Sequence, residues 1–313
     1  MTPARPAVSI VLCTRNRPQL ARETIESILS ATLTPEEIVV IDQSDEPDRT
    51  LEALGDDRPT EVRVIAARPN GLGQARNDGI EAAAHDVLVF VDDDMWAQAT
   101  WLEALVDALV AALPRAVVTG AVEPTRAESW RGFTPSTQAH DRGAVFEGRI
   151  DRDVLAGGHM ACERSALEAV GGFDPRLGAG ASFPAADDND LGFRLLEAGY
   201  RIVYVADAVL YHRAWRAGWQ YPLVRWRYGL GKGGFYAKHR AVDDRHIRRR
   251  ATRDVTHRLR RFPALAVREP MRAAGDLFYI AGILTGGTRW LLAERRQRRT
   301  ATSVAAGRAG DVD

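Results

Sequence analysis

With 313 residues, 45% of them apolar and 27% charged, the chain can bury one large core or two small ones, and its composition excludes a disordered or fibrous protein. The formal net charge is zero, yet residues 1–244 carry −10 while residues 245–299 carry +11, with 15 Arg against four acids. An acidic body argues against a nucleic-acid binder, two cysteines exclude a disulfide framework, and no uncharged apolar run of about 18 residues marks a conventional transmembrane helix.

Residues 8–13, VSIVLC, are a continuous apolar run of strand length, with Cys13 inside it as a reduced core thiol; Cys162, among small residues, is read the same way. Pro18 suits the first turn of a helix, and Leu20, Thr24, Ile25, Ile28 and Leu29 give that helix one stripe. IVVI at 38–41 predicts a second strand, ending at Asp42, and VRVIA at 62–66 a third. Gly71-Leu72-Gly73 turns into a helix over 74–84, and VLVFV at 87–91 is a fourth strand, ending at Asp92. Residues 100–113 form an amphipathic helix and 116–119 a fifth strand. Residues 130–148 lack periodicity and read as loop or hairpin. A short helix over 164–170 stops at Gly171-Gly172, another over 191–198 closes at Gly199, and RIVYV at 201–205 is again a strand. No internal repeat is present.

This alternation predicts an α/β fold: a mainly parallel sheet with helices on both faces. Ligands of such sheets bind outside the carboxyl ends of the strands. Thr14-Arg15-Asn16-Arg17, Asp42 and Asp92-Asp93-Asp94 all follow strand ends and should converge on one edge. Three acids after a buried strand cost energy unless a cation or hydrogen-bond donors neutralise them. A hard divalent ion shared with a substrate diphosphate is one solution; an acidic turn capping the next helix is the plain alternative. If the strand continues, Asp92 and Asp94 point the same way. A second cluster, Asp187, Asp188 and Asp190, opens a helix, where the helix dipole favours acids but N-capping accounts for only one of them. A carboxylate there facing a sugar donor can take a proton from an attacking hydroxyl. His212 after a strand is a candidate metal ligand or a structural histidine. Arg76 and Asn77, after a glycine turn, suit a phosphate contact or a helix surface. GLGKGG at 229–234 matches G-x-G-x-x-G, but no buried strand precedes it and no ribose-binding acid follows, so a dinucleotide site is not expected.

Five stretches in this order, VSIVLCTRNRPQLARETIESIL, EEIVVIDQSDE, RPNGLGQARNDGIEAAAHDVLVFVDDD, AGGHMACERSALEAVGGFDPRLG and DDNDLGFRLLEAGYRIVYVADAVLYH, resemble the family 2 glycosyltransferases of the GT-A fold. The likeness covers residues 7–212. It implies an inverting, metal-dependent transfer of a sugar from a nucleotide-diphosphate donor to a sugar, lipid-linked or small-molecule acceptor. By position, Thr14, Arg17 and Asp42 would surround the base and ribose, and Arg76 would approach the nucleotide. Asp92 and Asp94 would be the D-x-D pair, with Asp94 on Mg²⁺ or Mn²⁺ and Asp92 nearer the ribose; Asp93 could take either role. Asp188 would be the general base with Asp187 beside it, and His212 would join the metal. Gly157, Gly158 and His159 would line the donor-sugar and acceptor pocket. Three positions depart from the family pattern: Gln43 for an acid or glycine, Asp187 for the usual Glu, and His159 for the usual Asn. The implied layout is a nucleotide-sugar half over 1–122, an acceptor and catalytic half over 123–215, a basic helical extension over 216–300 and a disordered tail over 301–313. A nucleotidyltransferase, which would need a Gly-rich, Lys-bearing first loop, and a non-catalytic sugar-nucleotide binder are the competing readings.

Beyond His212 the sequence turns aromatic and basic. Residues 270–292 hold LFYIAGIL and WLL but also Asp276 and Arg289, which fits a hairpin in a membrane interface or a helix packed on protein better than a spanning helix. The expected location is cytoplasmic, peripheral at the inner membrane face if this part meets lipid, since no signal-peptide pattern opens the chain.

Overall fold

The structure, a computed structural model, describes residues 5–127, 129, 131–240 and 245–309. The chain divides into two units: Met1–Ser182 with Asp187–Gln220, and Phe183–Ala186 with Tyr221–Asp313.

The first unit opens with β1 (Val8–Thr14), α1 (Pro18–Leu29) and β2 (Glu37–Asp42), then β3 (Glu61–Ala66), α2 (Leu72–Ala82) and β4 (Val87–Asp92). Each of β1 and β2 is buried along its whole length, as a strand covered on both faces must be, which is why they read as unbroken apolar runs. The four strands pair in parallel, as expected, and their order is β3-β2-β1-β4. Pro18 starts α1, whose buried face includes Ala21, Thr24, Ile25 and Ile28.

Past β4 the sheet becomes mixed. After β5 (Met95–Ala97), α3 (Trp101–Ala112), β6 (Ala116–Pro124), β7 (Gly132–Phe133) and β8 (Ala144–Phe146) comes β9 (His159–Glu163). It inserts antiparallel between β4 and β6. The sequence reading missed this strand, because five residues between a glycine pair and a helix are too short to show a period. Helices α4 (Arg164–Val170) and α5 (Asp187–Glu197) follow, then β10 (Arg201–His212) and β11 (Arg216–Ala217). Helix α5 begins at Asp187, so the three acids form its first turn, as their place at a helix opening implied. Strand β10 runs on past the predicted 205 through a bulge between Val205 and Val209, which carries His212 to the site. Among the described residues the sheet has nine strands, and β7 with β11 forms a separate ribbon. One core cluster, with Trp101, Leu105 and Ile25, lies on one sheet face; the other, with Phe90, Met160 and Phe173, lies on the opposite face. Cys13 and Cys162 are free and buried, and burial pushes both thiols up to about 12, out of reach of thiolate chemistry.

The second unit is helical: α6 (Tyr221–His239), α7 (Arg245–Arg268) and α8 (Pro270–Ala309). Residues 270–292 belong to one continuous helix rather than a hairpin, and that helix runs to Ala309; 310–313 of the tail expected over 301–313 lie outside the described residues. GLGKGG lies within α6. A Cβ at Gly229 would overlap the carbonyl oxygen of Tyr279, one at Gly233 that of Ile283, and one at Gly286 of α8 that of Leu230. The glycines let two helix backbones touch, a use of small residues at four-residue spacing that explains the motif without a nucleotide. No helix among the described residues is long and apolar enough to cross a membrane.

Candidate active site

The site forms where β1 and β4 end side by side. Their register sets Cys13 against Asp92, so the next residues, Thr14 and Asp93, meet: the Thr14 hydroxyl donates to Asp93 Oδ2 at 2.7 Å. The chain turns after Asp92 instead of continuing as a strand, so simple alternation does not apply to the triplet. Thr24 of α1 holds the turn by donating to the carbonyls of Asp93 and Met95, and the Arg213 amide donates to the Asp94 carbonyl.

Each acid of the triplet has a different partner. Asp92, at the rim, accepts from Arg76 Nη2 at 2.8 Å. Asp93 is 0% exposed and lies 2.5 Å from Arg17 Nη2. Burial, with Arg17 opposing it, raises its carboxyl to about 7. Asp94 accepts from Arg17 Nη1 at 2.9 Å and faces His212 Nε2 at 3.2 Å. Burial pushes the Asp94 carboxyl up, but His212 and Arg17 outweigh it and hold it at about 2. Asn16, in the left-handed region at φ 54°, supplies the turn from Thr14 to Arg17, a conformation asparagine tolerates.

The register of β10 against β5 sets His212 opposite Met95, next to Asp94. His212 Nδ1 lies 2.8 Å from the Pro135 carbonyl oxygen. A carbonyl only accepts, so Nδ1 carries a proton and Nε2 is the nitrogen turned to the acids. Burial lowers the imidazole pKa, and Asp94 more than reverses this, leaving it above the ordinary histidine value.

Arg76 joins the two acidic clusters. It lies on α2 and is 3% exposed; its Nη1 donates to Asp187 at 2.5 Å while Nη2 serves Asp92, and Phe173 packs 5.1 Å from the guanidinium. Its role as a bridge between carboxylates was invisible in the sequence, since Arg76 and Asp187 are 111 positions apart. Asp188, next on α5, is half-buried, and one of its oxygens accepts from the Asn189 amide. Burial, then the like charge of Asp187, raises the Asp188 carboxyl to about 7. Asp190 is committed elsewhere, paired with Arg194 at 2.7 Å.

Gly157 and Gly158 close the site from the segment before β9. A Cβ at Gly157 would lie 2.8 Å from Arg76 Nη1 and 3.0 Å from Asp188 Cβ, and one at Gly158 would overlap the Asp92 carboxylate. Gly158→Ala should therefore displace Asp92 and cost most of the activity while leaving the buried sheet intact. Unchanged turnover in that variant, with an unchanged circular dichroism spectrum, would refute the close approach.

Two expected site residues are placed differently. His159 is corrected outright: its ring is fully buried in the core, and Nε2 accepts from the Trp101 indole at 2.8 Å. Burial drops its pKa to about 3, so it is a neutral core histidine and does not line a sugar pocket. The chain enters β9 at His159, directly after the turn at 157–158, and the strand carries the ring into the core. Asp42 is 2% exposed, with one oxygen accepting from the Ser44 amide and the other from the Asp48 amide, so it shapes the loop after β2.

Among the described residues no group of three or more His, Cys, Asp or Glu side chains is set to hold a metal ion by itself. Asp92, Asp94 and His212 are not gathered into such a group, but the chemistry of their donor atoms suits a hard divalent ion. Asp94 and Asp92 offer hard oxygens, and His212 offers a nitrogen oriented by the Pro135 carbonyl. An ion that takes its other ligands from phosphates needs no complete protein cage.

The sequence over residues 9–171 matches the family described as glycosyl transferase family 2. A glucosyl-dolichyl phosphate glucuronosyltransferase of Haloferax volcanii is 28% identical over 217 residues, covering 66% of this chain and 69% of that protein. The pre-mycofactocin glycosyltransferase of Mycobacterium tuberculosis is 27% identical over 214 residues, covering 67% of this chain but only 43% of the relative. In structure, a mannosyltransferase from Pyrobaculum calidifontis in complex with GDP-Man and Mn²⁺ aligns over 91% of this chain and 88% of its own, with TM-score 0.57 and 19% identity. GalNAc-T7 with UDP, GalNAc and Mn²⁺ aligns over 67% of this chain and 44% of its own, with TM-score 0.54 and 19% identity. These two likenesses establish the shared GT-A fold. A family match across more than half of the chain, over a sheet edge that gathers both acidic clusters, places this protein in glycosyl transferase family 2, and it is a glycosyltransferase.

Proposed function

We propose that the protein moves a sugar from a nucleotide-diphosphate donor to an acceptor hydroxyl in a single inverting displacement. The observation that carries this is the placing of Asp188: a half-buried carboxylate in the first turn of α5, beside Gly157 and one residue from the Asp187–Arg76–Asp92 bridge, where burial and Asp187 raise its carboxyl to about 7. A group titrating near neutral pH accepts and releases a proton most effectively there. Asp188 takes the proton of the attacking hydroxyl as that oxygen bonds to the anomeric carbon. The bond to the diphosphate breaks, and the nucleoside diphosphate leaves with the electron pair. Arg17 and Thr14 flank the leaving group and the base, and Gly157 and Gly158 let the sugar approach Asp92 and Asp188. Asp94, Asp92 and His212 would hold Mg²⁺ or Mn²⁺, which when bound supplies Lewis-acid stabilisation of the diphosphate charge.

The name of the Haloferax relative, which specifies a dolichyl phosphate substrate, favours a lipid-linked acceptor for this chain as well. In this reading residues 1–122 bind the donor, residues 123–215 shape the acceptor side, and the basic C-terminal part works at the inner face of a membrane in cell-envelope glycan synthesis. Thermal-shift measurement of the full chain with UDP- and GDP-sugars, with and without Mn²⁺, tests the donor. A nucleotide-sugar used by the enzyme should raise the melting temperature by several degrees with Mn²⁺ and by less without it. If no nucleotide-sugar stabilises the protein under either condition, the reading fails.

A further inference from the structure

Helix α8 carries a long exposed apolar face, free of basic residues from 273 to 288. Met271, Leu277, Phe278, Leu284 and Leu292 are all exposed, Leu284 at 65%, and Ala274, Ala281, Thr285 and Thr288 fill the same side at helical spacing. From Met271 to Leu292 this side is about 32 Å long. The opposite side is the packed one: Tyr279, Ile283 and Trp290 are buried, and the Trp290 ring packs tilted against Phe183, 4.9 Å between centroids. Between residues 273 and 288 the sole ionisable carboxylate is Asp276, which is 1% exposed and paired with Arg261 at 2.6 Å, so it does not interrupt the face. Val267, at the end of α7, is 85% exposed.

An apolar surface of this length in contact with water calls for a cover. The charge around it decides which. Residues 221–300 hold 20 Lys and Arg against six Asp and Glu, a net of +14. Basic residues close the apolar face at both ends: Arg289, at the helical angle of Met271, and Arg295, one turn beyond Leu291 and Leu292, lie at its far end, and Arg268 precedes its start. A second copy of the chain would bring +14 against +14, which opposes pairing. An anionic lipid surface offers the opposite charge together with an apolar interior, and a helix with an apolar side and basic flanks lies in such an interface. The helix is too polar elsewhere to span.

We propose that this face of α8 docks on the surface of an anionic bilayer, with Leu277, Phe278 and Leu284 entering the acyl boundary and Arg268 and Arg295 meeting lipid phosphates. The purpose of the contact rests on the lipid-linked-acceptor reading; its physics does not. In flotation of the full-length protein, binding is expected to vesicles of phosphatidylcholine with phosphatidylglycerol, and to be far weaker with phosphatidylcholine alone. The triple variant Leu277→Glu, Phe278→Glu, Leu284→Glu should lose binding at least ~100-fold, since each side chain loses its apolar contact and gains a charge the lipid repels. The double variant Arg268→Gln, Arg295→Gln should lose about 25-fold, at roughly fivefold per basic residue. All five substituted side chains are exposed, so circular dichroism and melting temperature should not change. Binding that survives the triple substitution, or is equal on neutral vesicles, overturns the proposal. So does sedimentation showing a dimer that ignores vesicles. Vesicle binding without transfer to any lipid-linked acceptor leaves the docking face standing and removes the acceptor reading instead.

Discussion

Replacing Asp188 with Asn is expected to reduce turnover by about 10²–10⁴-fold while leaving donor binding in place. The side chain keeps its size, and its carbonyl oxygen can still accept from the Asn189 amide, so the start of α5 should hold. What disappears is the capacity to take a proton. The wild-type rate should rise with pH through about 7, because burial and the neighbouring Asp187 hold the Asp188 proton to that pH and only the ionised form is a base. Asp153 adds to that effect and Arg76 opposes it. The stability sign runs the other way. A carboxyl whose folded pKa lies above its unfolded value, about 3.9, contributes stability at low pH that is lost as pH rises through the folded pKa. The Asn variant should therefore melt higher than wild type above pH 7 even as it loses activity. Measuring pH–rate profiles and melting curves on the same two proteins checks both claims. Full turnover by the variant would remove Asp188 from the role of base.

Replacing Arg76 with Met is expected to have the largest effect on stability. Arg76 is buried, and each of its two terminal nitrogens serves a different carboxylate, Asp92 from β4 and Asp187 from α5. Removing one partner of a buried ion pair costs about 3–5 kcal/mol, because the remaining charge is left unneutralised. For a unit of this size that corresponds to a fall in melting temperature of roughly 10 °C. Activity should fall further than stability, since Asp92 and the first turn of α5 lose their common anchor. Lys at the same position should recover only part of either, because an ammonium group is a single point charge and cannot bridge two carboxylates as a planar fork does. A Met variant that melts within a degree or two of wild type would show that the bridge does not hold the site together. Added Mn²⁺ should restore part of the lost stability, since a cation near Asp92 replaces the missing charge.

Thr14, Asp42 and the acid triplet were legible as strand-end residues before any coordinates, because a parallel strand buried on both faces is an unbroken apolar run whose end is visible in the sequence. The same reasoning failed for β9. A short antiparallel strand slipped between β4 and β6 leaves no period to read, and with it went the expectation for His159. The pairings within the triplet were equally hidden. Asp93, which the sequence left without a fixed part, is the most buried of the three, because the register of β1 against β4 places Thr14 beside it. The glycines of 229–234 read as a weak nucleotide motif and are instead the surface along which α6 meets α8.

The sequence alone determined the alternation of strands and helices, the edge at which the acids gather, the basic C-terminal part and the family. All of these rest on local period and order along the chain. Only the tertiary structure decided which acid meets which cation: Arg17 with Asp93 and Asp94, Arg76 with Asp92 and Asp187, His212 with Asp94. Those choices depend on strand register and on side chains separated by up to 111 positions, and short-range pattern holds no information at that distance.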